Sequence, residues 1–101
     1  MEGNRLRRAA RTDSNHREII DGLRKEGFTV LDLSRVGQGC PDILVGYAGH
    51  NWLMEIKDGA KAPSARRLTG PEQAFYDLWK GNVNVVCDLD QAVEIIRERH
   101  K

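Results

Sequence analysis

The sequence is poor in cysteine, in long apolar segments and in net charge. Its 101 residues include only two cysteines, Cys40 and Cys87. Two cysteines do not make a disulfide framework, and no Cys/His spacing typical of a metal site surrounds them. We expect both thiols to be reduced, as in a cytoplasmic protein. No apolar run approaches the ~18 residues that cross a membrane, and no signal-peptide core is recognisable, so no membrane partner is expected.

The net charge of +1, from 16 basic and 15 acidic residues, excludes a strongly basic, histone-like protein. It does not exclude a nucleic-acid-binding protein whose charges are segregated. Residues 1–12 concentrate positive charge, because four arginines are opposed only by Glu2 and no apolar periodicity accompanies them. We predict a flexible basic arm that either contacts DNA phosphates or is a solvated tail. Its arginines are Arg5, Arg7, Arg8 and Arg11.

Residues 13–101 are predicted to form one small domain, because a chain of this length supports a single core. Apolar spacing predicts helices over 13–27, 68–81 and 89–101 and strands over 28–34, 41–47, 51–57 and 82–88. Thr69 and Glu72 have the spacing of a capping box, and Trp52 and Trp79 fall on apolar faces that we expect in the core. The predicted fold class is therefore α/β: a mixed β-sheet flanked by helices, with an αβββαβ core and a C-terminal helix.

Three charged residues are predicted to converge on two neighbouring strands. Side chains alternate across a strand, so Glu55 and Lys57 share one face of the third predicted strand. If the AGHN turn (48–51) pairs this strand with the second, Asp42 lies near Glu55 and Lys57. Two carboxylates this close repel each other, and a hard divalent cation such as Mg²⁺ relieves the repulsion. The backbone carbonyl of Ile56 would complete the protein ligands.

The lysine would hold an attacking water or the phosphate oxygens, which completes the parts needed for metal-assisted phosphodiester hydrolysis. The plainer alternative is that the E-x-K pair is a solvated ion pair on the protein surface and that the P-D dipeptide belongs to an ordinary turn.

The conjunction of P-D with E-x-K resembles the PD-(D/E)XK nuclease superfamily. More narrowly, three segments resemble the small stand-alone VRR-NUC domains of phages and bacteria: VGQGCPDILVG (36–46), LMEIKDG (53–59) and LTGPEQAFYDLW (68–79). The resemblance implies that Asp42 and Glu55 bind catalytic Mg²⁺ or Mn²⁺, with the Ile56 carbonyl as a further ligand. It also implies that Lys57 orients or activates the nucleophilic water, and that Gln73 helps to position the site.

Related domains often carry an acidic residue or a glutamine in the first helix, and this sequence departs from that pattern. The candidates for this position are Asp13, Asn15, His16 and Glu18. On a helical wheel, His16 lies with the inward apolar face, Asn15 at its flank and Glu18 nearly opposite, which favours the first two. His16 is equally well explained as a packing residue.

The leading hypothesis is a metal-dependent deoxyribonuclease, with no organic cofactor, that acts in the cytoplasm (of a bacterial host if the chain is phage-encoded). The resemblance implies cutting of branched DNA, such as flaps or four-way junctions, and a homodimer is expected because one small site cuts one strand per binding event. The alternatives are a non-catalytic DNA-binding or assembly module with the same fold, and an unrelated interaction domain.

Basic residues after the third predicted strand either contact the DNA backbone or only keep the protein soluble. These residues are Lys61, Arg66 and Arg67.

Overall fold

The computed structural model describes residues 15–99. The predicted basic arm, with Arg5, Arg7, Arg8 and Arg11, lies outside the described residues, as does Asp13. The helices and strands are α1 (His16–Lys25), β1 (Thr29–Asp32), β2 (Ile43–Tyr47), β3 (His50–Ile56), a 3₁₀ helix (Pro63–Arg66), α2 (Gly70–Leu78), β4 (Val83–Val86) and α3 (Leu89–Arg99). This order confirms the predicted α/β class, with its αβββαβ core and C-terminal helix. Within residues 15–99, no helix combines the length and the apolarity needed to span a membrane.

The four strands form one mixed sheet in the order β1-β2-β3-β4. The first three strands are antiparallel, whereas β4 runs parallel to β3 and is reached through a crossover that contains α2. The β2–β3 hairpin closes through Ala48 and Gly49, whose φ values of 53° and 85° are both positive, as a two-residue type I′ turn requires. The turn is therefore tighter than the predicted segment 48–51, and β3 begins at His50.

The core lies on the sheet face that α1 and α3 cover. The two helices contribute Ile19, Ile20, Leu23, Ala92 and Ile96, and the sheet contributes Ile43, Val45, Trp52, Met54, Ile56 and Val86. Trp52 is 1 % exposed, which confirms its predicted place in the core. Burial of each large apolar side chain contributes roughly 1.5–3 kcal/mol to the stability of the fold. This packing therefore stabilises α1 and α3 more than their intrinsic helix propensity does.

Helix α2 differs from the prediction. Its capping box forms as expected, with Thr69 Oγ1 accepting from the Glu72 amide at 3.3 Å and Glu72 Oε1 accepting from the Thr69 amide at 2.9 Å. However, α2 buries none of its residues, and Trp79 at its end is 47 % exposed and stacks on Phe75. The predicted core position of Trp79 is therefore wrong, because α2 belongs to the crossover and the core is built from α1, α3 and the sheet.

Strand β1 is shorter than predicted because an Asx turn draws the Ser34 amide away from the ladder, while the Leu33 amide still donates to the Asp42 carbonyl at 2.7 Å. Asp32 Oδ1 accepts from the Ser34 amide at 2.9 Å and from the Ser34 hydroxyl at 2.7 Å. Such a bond two residues along the chain forms an Asx turn, which competes with the sheet ladder. The strand accordingly ends at Asp32.

Candidate active site

Asp42, immediately before β2, lies opposite Glu55 of β3. The strand register pairs Ile43 with Met54, so the next pair along the ladder joins Asp42 and Glu55. The Asp42 amide continues the ladder by donating to the Met54 carbonyl at 3.0 Å. Asp42 Oδ2 accepts a hydrogen bond from the Ile56 amide at 2.8 Å. Because facing residues have Cβ atoms about 4.5–5.5 Å apart, the two carboxylates share one small volume.

Lys57 joins this pair from the end of β3. Its ammonium nitrogen lies 3.6 Å from Glu55 Oε2 and 2.9 Å from Glu72 Oε1. The side chains of Lys57, Glu55 and Glu72 are 13 %, 8 % and 21 % exposed. The fold thus brings together the three predicted residues Asp42, Glu55 and Lys57, and adds Glu72 from the first turn of α2.

Burial sets the protonation of these carboxyl groups. Burial, the neighbouring charge of Asp42 and the hydrogen bond and charge of Glu72 together raise the pKa of Glu55 to about 9, and the attraction of Lys57 only partly offsets them. Burial likewise raises the pKa of Asp42 despite its bond from the Ile56 amide. For Glu72 burial is outweighed by hydrogen bonds from the Thr69 amide and Lys57, so its pKa is lowered. At neutral pH the metal-free site therefore holds a protonated Glu55 and an ionised Glu72.

The cluster offers oxygen donors, which are the ligand type that a magnesium-like ion prefers. Within residues 15–99, no group of three or more His, Cys, Asp and Glu side chains is arranged to hold a metal. The oxygen donors at this position are the carboxylates of Asp42 and Glu55, the Glu72 carboxylate that already pairs with Lys57, and the Ile56 carbonyl. Mg²⁺ is commonly bound by one or two carboxylates while it keeps several waters and contacts substrate phosphates. Binding of such an ion would release the proton of Glu55, whose pKa is raised in the metal-free site, because a nearby cation favours the ionised carboxylate.

The two cysteines add no ligand pair. Both are free thiols. Cys40 lies near the site, and burial together with the charges of Glu55 and Asp42 raises the pKa of its thiol. The thiol is thus harder to ionise than that of a free cysteine.

Gln73 is not brought to the cluster. It is exposed, and its amide donates to Asp77 Oδ1 at 2.9 Å along α2. Successive helical residues point about 100° apart, so when Glu72 faces Lys57, Gln73 cannot. The capping box was the sequence signal for Glu72, because that motif turns the carboxylate back toward the helix N-terminus, where the segment from Lys57 arrives.

Asn15, one of the candidates for the first helix, supports the site strands through their backbone. Its side-chain amide donates to the Lys57 carbonyl at 3.2 Å and to the Cys87 carbonyl at 2.7 Å. It occupies the N-cap position of α1 but makes no side-chain cap bond to that helix. Asn15 therefore ties the start of α1 to the ends of β3 and β4.

His16 and Glu18 lie where the helical wheel places them. His16 is buried, with Nε2 3.5 Å from Asp32 Oδ1, and its charge acts on Asp42. Glu18 is exposed on the opposite side of α1. His16 thus belongs to the layer beneath the site, and Glu18 does not reach it.

The predicted DNA-contacting residues of the crossover lie around the 3₁₀ helix. Lys61 and Arg67 are exposed, whereas Arg66 is half-buried. This segment connects Lys57 to α2, so its positive charges lie in the part of the chain between β3 and α2, the two elements that supply Glu55 and Glu72.

Comparisons with known proteins yield no match for the chain. No family model matches it, and neither a curated protein nor a solved structure matches it significantly.

Proposed function

We propose that the chain is a metal-dependent DNA endonuclease of the PD-(D/E)XK type. The observation that carries the proposal is the pairing of Asp42 with Glu55 across β2 and β3, with the Lys57 ammonium 3.6 Å from Glu55 Oε2. Two carboxylates and one lysine in a largely buried cluster supply the charges that phosphodiester hydrolysis requires.

Each residue has a separate role in the proposed reaction. Asp42 and Glu55 would hold Mg²⁺ or Mn²⁺, with the Ile56 carbonyl as a further ligand. Such an ion supplies Lewis-acid stabilisation of the phosphate charge and an acidified water. The Ile56 amide fixes the Asp42 carboxylate through the 2.8 Å bond to Oδ2. Lys57 places its positive charge where it binds a non-bridging phosphate oxygen and orients the attacking water.

In this reaction, water attacks phosphorus in line and the 3′-oxygen leaves with a proton. The products are a 5′-phosphate end and a 3′-hydroxyl end. The proposed substrate is branched DNA, such as a flap or four-way junction, and the proposed assembly is a homodimer. A nuclease domain of this small size agrees with recognition of DNA shape and backbone.

Cleavage assays with isosteric variants test the proposal. Labelled linear, flap and four-way-junction DNA are incubated with Mg²⁺, Mn²⁺ or EDTA. We expect cutting that requires metal and falls roughly 100-fold or more in each of Asp42→Asn, Glu55→Gln and Lys57→Met. DNA binding measured in EDTA should largely survive. Lys80→Met removes an exposed lysine outside the cluster and serves as the matched control, with wild-type cleavage.

Two results would contradict the proposal. Cleavage that survives Glu55→Gln would mean that a contaminating enzyme cuts the DNA or that the site is misassigned. DNA that is bound but never cut under any metal would support the non-catalytic module instead.

The basic arm has its own test. Replacing its four arginines should reduce the slope of the logarithm of the DNA-binding constant against the logarithm of salt concentration by about 0.9 for each phosphate that the arm no longer neutralises.

A further inference from the structure

Glu72 contacts two parts of the molecule through one carboxylate oxygen. Oε1 accepts from the Thr69 amide at 2.9 Å and from the Lys57 ammonium at 2.9 Å. The first bond closes the capping box of α2, and the second pairs α2 with the lysine of the candidate active site. Both bonds form in a region where Lys57 is 13 % and Glu72 is 21 % exposed, so water competes weakly for the ion pair.

The first turn of α2 is also fixed from a second side. The loop before β2 approaches it so closely that a Cβ atom on Gly39 would overlap the Pro71 carbonyl. The rest of α2 buries no residue. Helix α2 is thus held to the rest of the protein at its N-terminus, and the Glu72–Lys57 ion pair is one of the contacts that hold it.

We propose that Glu72 is a positioning residue, which holds the Lys57 ammonium beside the Asp42–Glu55 pair and couples its placement to the N-terminus of α2. This inference rests on the proposed nuclease function. Once a cation occupies Glu55, Glu72 remains as a carboxylate partner for Lys57. Without Glu72, the ammonium would be drawn to Glu55, only 3.6 Å away, and would compete for the oxygens that the cation needs.

Two variants separate positioning from helix capping. Glu72→Gln keeps a residue type that closes a capping box but removes the charge that pairs with Lys57. Thr69→Ala removes the Oγ1 acceptor for the Glu72 amide but leaves both contacts of the carboxylate. We expect Glu72→Gln to lower kcat roughly 10- to 100-fold, with little change in KM for DNA. Thr69→Ala should lower the melting temperature by a few degrees and leave kcat unchanged.

A spectroscopic readout makes the inference independent of cleavage. A ¹H–¹⁵N correlation spectrum of side-chain ammonium groups, assigned with Lys57→Arg, reports on Lys57 in the metal-free protein. A paired and shielded ammonium exchanges its protons slowly, so we expect a resolved Lys57 signal in the wild type and in Thr69→Ala, and its loss in Glu72→Gln.

The possible results are distinguishable. A Lys57 signal that persists in Glu72→Gln, or a wild-type kcat in that variant, overturns the positioning role even if the chain is an active nuclease. If no form of the protein cuts DNA but the signal depends on Glu72, the proposed function fails while the pairing of Glu72 with Lys57 stands.

Discussion

Asp42 lies across the β2–β3 ladder from Glu55, and the length of one turn puts it there. Tyr47 pairs with His50 around the two-residue turn, so five steps back along β2 and five steps forward along β3 join Asp42 to Glu55. A turn longer by one residue would place Asp42 opposite Ile56, whose side chain is in the core. Because a slip of one residue exchanges the two faces of a strand, the turn decides whether the carboxylates meet.

Glu55→Gln should stabilise the metal-free protein at neutral and alkaline pH. The pKa of Glu55 is raised from 4.5 to about 9 by burial and neighbouring carboxylates, so between these values the folded state binds more protons than the unfolded state. Stability must then fall as pH rises through this range. We expect the melting temperature in EDTA to fall between about pH 5 and about pH 8 in the wild type, and to fall less in Glu55→Gln.

We expect divalent metal to reverse the order of stability of the wild type and Glu55→Gln. Mg²⁺ or Mn²⁺ should raise the melting temperature of the wild type by mass action and leave Glu55→Gln unchanged. Glu94→Gln removes an exposed carboxylate of α3 and should behave as the wild type in both experiments. Equal metal stabilisation of Glu55→Gln and the wild type would remove Glu55 from the candidate metal site.

Alanine substitutions at Gly39 and Gly37 test whether the loop before β2 holds the N-terminus of α2. Both have positive φ, of 81° and 77°, so alanine at either position costs roughly 1–2 kcal/mol in backbone strain. Only at Gly39 would the new Cβ also overlap the Pro71 carbonyl, whereas at Gly37 it meets nothing. We expect Gly39→Ala to lose more stability in urea unfolding and to lower cleavage further than Gly37→Ala. Equal losses would show that α2 is not held at this contact.

Sequence periodicity accounts for the sheet and for the predicted triad, because strand parity and a short hairpin are local properties. Glu55 and Lys57 share a face through alternation alone, and Asp42 follows from the hairpin. The capping box indicates where the Glu72 carboxylate turns, but its contact with Lys57, fifteen residues earlier in the chain, depends on how the crossover helix docks, which no local pattern specifies. The apolar residues of the predicted helix 68–81, which end at Trp79, have helical spacing. Spacing alone does not show whether another part of the protein covers this apolar face.

Asn15→Asp should destabilise the protein although aspartate caps helices as well as asparagine. The Asn15 amide donates to two carbonyls, those of Lys57 and Cys87, and a carboxylate would instead face them with a second acceptor. We expect a loss of roughly 1–3 kcal/mol in urea unfolding. Asn82→Asp is the control, since Asn82 donates to the Asn51 carbonyl at an exposed site and should cost less. Unchanged stability of Asn15→Asp would show that the two hydrogen bonds of the Asn15 amide do not hold α1 to the ends of β3 and β4.

The two tryptophans should respond oppositely to a neutral fluorescence quencher. Trp52 is 1 % exposed and Trp79 is 47 % exposed, so Trp79→Phe, which leaves Trp52 alone, should be quenched weakly, and Trp52→Phe should be quenched strongly.

The exposed face of α2, which includes Leu78 at 74 % exposure, also offers a test of the predicted homodimer. Apolar patches of this kind mark protein interfaces when they are extensive, so a dimer through α2 would protect Trp79 as the protein concentration rises. Strong protection at all concentrations would instead mean that the chain itself covers Trp79, and would return this residue to the core in which the sequence pattern placed it.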